Sequence, residues 1–81
     1  MTKFRLSFTC DELKVWLSRK IAPHIAEEYY TTFIMHHVDG EKFVTLKNEQ
    51  LKILMGIECI RDRVTFLGAI RYAKEKLNIQ N

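Results

Sequence analysis

Few side chains in this 81-residue chain are of the types that carry chemistry, and their spacing suits catalysis poorly. The neighbours His36 and His37 would point in different directions on a helix, and His24, Cys10 and Cys59 are remote in sequence, so no set has zinc-ligand spacing. A Cys–His nucleophile would also need an orienting third group and an oxyanion site, and no motif supplies either. Gly40, Gly56 and Gly68 are too far apart to form a phosphate-cradling loop. Tyr29 and Tyr30 read as core or half-buried residues. The expectation is a chain that is not an enzyme and takes no metal, no cofactor and no small-molecule substrate.

Charge is the chemistry that remains. Arg61 and Arg63 open the last helical stretch, where the helix dipole is already positive, so each costs roughly 0.3–1 kcal/mol relative to an acidic residue there. Local stability does not account for them. Two guanidinium groups, the dipole and unpaired N–H groups together favour carboxylates or phosphates. The formal net charge of +3 is unevenly spread, with residues 1–22, 23–58 and 59–81 carrying +3, −3 and +3. An acidic middle and a basic C-terminal element give a field that can complement a second copy or a relative.

These groups must be positioned by helices, because one proline, three glycines and no alternating β-branched run leave no strand signal. Thr9 with Glu12 forms a capping box, and Phe8 with Leu13 a hydrophobic staple, opening a first helix that buries Leu13, Trp16 and Leu17. Pro23 opens a second, with Ile25, Tyr29 and Phe33 at four-residue spacing, ending near His36 or His37. Asp39 caps a short third helix with Phe43 and Val44, and Gly40 is read as permitting the chain reversal before it. Asn48 is expected to cap a fourth, with Leu51, Leu54 and Met55 on one face and Gly56 as its stop before the anchor Ile57. The longest helix runs from about Ile60 to Leu77, with Val64, Leu67 and Ile70 on one line and Phe66, Ile70, Ala73 and Leu77 on the next.

The predicted fold class is therefore all-α, a compact five-helix bundle with a long C-terminal helix. At 81 residues and 47% hydrophobic content the chain buries one modest core, which implies one domain over 1–81 with its core in 8–77. Residues 1–7 and 78–81 are expected to be flexible tails, with Phe4 and Leu6 able to pack on the last helix. No signal-peptide block or spanning segment is seen, and two isolated cysteines read as reduced thiols, which together imply a cytoplasmic or nuclear protein without membrane insertion.

The order Val38-Asp39-Gly40, Leu46, Leu51, Met55-Gly56-Ile57, Arg61-Asp62-Arg63, preceded by Phe8-Thr9, Glu12-Leu13, Trp16-Leu17, Tyr29 and Phe33, resembles the sterile alpha motif (SAM) domain family from Phe8 to Leu77. The resemblance implies a protein-interaction module that binds another SAM domain, or itself, in a signalling or scaffolding assembly. Ile60, Arg61 and Arg63 would form its end-helix surface, and Asp39, Glu41 and Glu49 the acidic mid-loop surface that receives it. A subset of the family recognises RNA hairpins through the first and last helices. On this sequence Lys14, Lys20, Arg61, Arg63, Arg71 and Lys74 stand at such positions, but a net charge of only +3 and no aromatic-flanked basic stripe make RNA the second reading.

Overall fold

A computed structural model describes residues 3–77, and in that range the chain is all-helical, without strands. The helices are α1 (Cys10–Lys20), α2 (Pro23–Met35), α3 (Gly40–Phe43), α4 (Asn48–Ile53) and α5 (Ile60–Lys76). Five helices with a long C-terminal one are what the sequence implies. Of the expected tails at 1–7 and 78–81, residues 1–2 and 78–81 lie outside the described residues.

α1 begins as its sequence dictates. Thr9 accepts from the Glu12 N–H through its hydroxyl while the Glu12 carboxylate accepts from the Thr9 N–H at 3.0 Å. Pro23 occupies the first turn of α2, where its missing N–H loses nothing. α2 then ends without glycine, because His37 adopts φ 53°. The His37 N–H reaches Ile34 O at 3.0 Å and the Val38 N–H reaches Phe33 O at 2.9 Å, a Schellman arrangement in which buried Val38 supplies the apolar contact. At the end of α4 the equivalent left-handed position is Gly56, φ 67°, after which the Ile57 N–H returns to Leu51 O at 3.0 Å and the Ile57 side chain is fully buried.

Aromatic rings join the layers. Trp16 on α1 stands 5.0 Å from Phe4 and 6.1 Å from Phe43 of α3, and Phe33 on α2 stands 6.3 Å from Phe43 and 5.4 Å from Phe66 of α5. Offset and edge contacts at these separations add about 0.5–1.5 kcal/mol each beyond area burial. Leu13, Leu17, Leu51, Ile70 and Ala73 fill the space between them.

Several expectations are corrected. Phe4 is 4% exposed, so the core begins four residues before the expected boundary, while Leu6 is 43% exposed. Lys47, not Asn48, is the N-cap of α4, and its N–H is satisfied by Gln50 Oε1 at 2.9 Å. Leu54 and Val64 are 54% and 61% exposed and so leave the stripes assigned to them. In α5 the buried line is Phe66, Ala69, Ile70 and Ala73, offset from Val64 because a helix turns by more than the three-residue step that joined it to Leu67.

Candidate functional site

The α5 tip is built by two arginines with opposite fates. Arg63 is buried at 7% exposure. Its Nε donates to Asn48 Oδ1 at 3.1 Å, and one terminal nitrogen donates to Ile57 O at 2.6 Å and Glu58 O at 3.0 Å. The guanidinium thus satisfies carbonyls of the α4–α5 connection, and Asn48 is spent on holding it. Arg63 therefore leaves the end-helix surface: it is a clamp inside the domain, not a contact outside it. Arg61 is exposed, with no side-chain partner among the described residues.

Large apolar side chains are exposed beside Arg61 on α5 and at the end of α4, among them Val64 and Leu54, which the sequence stripes assign to the core. Ile60 is 69% exposed and Val64, one turn on along the same face, 61%; at the end of α4 Ile53 is 73% and Leu54 54% exposed. Of these the sequence assigns only Ile60 to the surface. For Val64 the signal is the narrow apolar arc of α5, which holds Phe66, Ala69, Ile70 and Ala73 but not Val64.

The acidic side is centred on α3. Asp39 and Glu41 line one shallow depression with His37, Lys42 and Thr45, while Glu49 is not among its lining residues and is exposed in the first turn of α4. Asp39 also caps α3 by accepting from the Lys42 N–H at 2.9 Å. Lys42, which lines the same depression, donates from Nζ to His36 O at 2.9 Å. Cys10 lies beneath this face, its thiol donating to Val38 O at 3.0 Å; burial, then the nearby Asp39 and Asp11, push its pKa up, so it stays protonated. Cys59, the N-cap of α5, is exposed.

The tyrosines join helices. Tyr29 donates to Asp62 Oδ2 at 2.6 Å, tying α2 to the first turn of α5, and burial followed by that bond raises its pKa strongly. Tyr30 donates to Asp11, which raises its pKa too.

Several of the basic residues singled out for RNA are engaged within the chain. Lys14 pairs with Glu27 at 2.8 Å and lies 4.6 Å over the Tyr30 ring. Lys20 donates to the Tyr72 hydroxyl at 3.2 Å, lowering that phenol's pKa, with Lys76 also over the ring at 5.2 Å. Arg61 and Arg71 are separated by ten residues of helix, roughly 15 Å. Lys74, half-buried, is engaged within the chain, and Arg71 is exposed.

Among the described residues no group of three His, Cys, Asp or Glu side chains is placed to hold a metal, and no helix is long and apolar enough to cross a membrane. Comparisons with family models, with characterised proteins and with solved structures find no match for this chain.

Proposed function

We propose that this chain is a non-catalytic protein-interaction module of the sterile alpha motif type, docking its α5 tip on the acidic α3 surface of a second copy or a related domain in a scaffolding or signalling assembly. The observation that carries the reading is the exposure of Ile60 and Val64 beside Arg61, on a turn held rigid by the buried Arg63. Contiguous exposed apolar side chains, unlike single ones, mark a surface that a partner covers.

Magnitudes divide the labour. Burying an Ile or Val contributes about 1.5–3 kcal/mol, whereas an exposed ion pair contributes about 0–1 kcal/mol. Ile60 and Val64 would therefore supply the affinity, and Arg61 facing Asp39 and Glu41 the orientation and encounter rate. RNA binding is the weaker reading, since Lys14 is paired, Arg63 is buried, and ammonium groups cover the exposed Tyr72 ring where a base would stack.

Sedimentation equilibrium over a wide concentration range, at low and high salt, tests it. Association that weakens with salt and is lost in Ile60→Asp and Arg61→Glu is expected. A domain that stays monomeric at every concentration, alone and with candidate relatives, would remove the reading.

A further inference from the structure

The segment from Phe4 to Phe8 lies over the core and against α3. The Gly40 N–H donates to Phe8 O at 2.9 Å, and the Phe8 N–H closes a turn onto Arg5 O at 3.1 Å. A Cβ at Gly40 would run into Arg5 O and stand 3.1 Å from Leu6 O and 3.0 Å from Phe8 Cβ. Phe4 is wedged 5.3 Å from Phe8, 5.0 Å from Trp16 and 6.0 Å from Phe43. Such close backbone approach is possible only because residue 40 has no side chain.

α3 is a single turn, Gly40–Phe43, and a single turn is too short to persist unaided. From the α2 side it is held by the Schellman turn and by Lys42 on His36 O. From the other side it is held by the N-terminal segment, which grips Gly40, the residue between the two carboxylates of the depression. The α5 tip has its own support in Arg63.

We propose that residues 4–8 are a strap that positions the acidic surface: Asp39 and Glu41 form a competent docking face only while the strap is seated, and displacing it switches that face off and leaves the α5 tip working. The proposal rests on the docking role given above to Asp39 and Glu41. Control of association from the N-terminal side is its consequence, because the hydrogen bond and ring contacts of this segment run to α3 and α1 and not to the first turn of α5.

The test uses proteins with one working face, Arg61→Glu keeping the acidic face and Glu41→Lys keeping the tip, each with Phe4→Ala or the milder Phe4→Leu. Strap substitutions in the acidic-face protein are expected to weaken pairing with the tip protein about tenfold or more, and in the tip protein less than about twofold. Equal losses in both, or none in either, overturn the strap. Amide exchange in the absence of any partner provides a second readout: in Phe4→Leu the Gly40, Lys42 and Phe43 amides should exchange about tenfold faster with Phe66 and Ile70 unchanged. A uniform acceleration, or none, also overturns it. If the α3 amides respond as expected but the unsubstituted one-faced proteins never pair, the docking reading alone falls.

Discussion

Arg61 and Arg63 stand on the same turn, and only burial separates their roles. Arg61 occupies the second position of α5, where an acidic residue would be favoured by about 0.3–1 kcal/mol. Arg61→Glu should therefore leave the melting temperature unchanged or raise it slightly while removing association. A drop in melting temperature of several degrees would mean that Arg61 has a structural role like its neighbour's. Gly40 is a residue whose identity was legible and whose reason was not. The sequence suggested backbone freedom at a reversal, yet its φ is not positive, and the requirement comes from Arg5 O and Leu6 O packed against its Cα. Gly40→Ala should destabilise the domain by about 1–3 kcal/mol, read from denaturant midpoints at unchanged slope. Tyr29 gives a pH signature. Its pKa is raised in the folded chain above the usual 10.0, so its contribution is complete below pH 10 and is lost as the unfolded phenol ionises above that. Stability should fall as pH rises past about 10, and Tyr29→Phe should flatten that fall. An unchanged slope in the variant would assign the alkaline loss to other groups.

At the scale of elements, the readable parts were those set by neighbours in sequence. Thr9 with Glu12, Pro23, Asp39 and Gly56 each act within one turn of the chain, and all five helices begin or end close to where such signals place them. What stayed hidden depended on contacts between elements. Asn48 has every property of a cap, but Arg63, fifteen residues away, takes its side-chain oxygen and the cap moves back to Lys47. Phe4 lies outside any helix, and only the arrangement of Trp16 and Phe43 makes a place for it. The clamp at the α4–α5 connection can be tested directly: Arg63→Met keeps the apolar stem but leaves Ile57 O and Glu58 O without their donors, and should cost about 2–3 kcal/mol. His37 marks a second element-level strain. Its φ of 53° closes α2 in a conformation that favours glycine, so His37→Gly should stabilise by about 0.5–1 kcal/mol in thermal unfolding. A loss instead would show that the imidazole makes a compensating contact in the α3 depression.

The described residues form a body of 29 × 25 × 21 Å, small enough that any docking face is a large part of its surface. Its two candidate faces differ in composition, one apolar with a cation and one holding Asp39 and Glu41, so a pairing between them is heterologous: each protomer offers both faces and turns one of them to each neighbour. Such a contact ends only if the rotation between neighbours closes a ring, and otherwise adds copies without limit. Where the partner is a second copy, the bare chain should therefore show a weight-average mass that climbs with concentration without a plateau at the dimer. An equimolar mixture of Arg61→Glu and Glu41→Lys proteins, each inert alone, should stop at the mass of one pair. Rim charges are screened over about 8–10 Å at physiological ionic strength, so salt should slow association more than it speeds dissociation, while Ile60→Ala should act mainly on dissociation. A bare chain that saturates at the dimer, with both charge variants still pairing with themselves, would require an isologous contact in which like faces meet, and the opposition of charge between α3 and the α5 tip would then have no part in assembly.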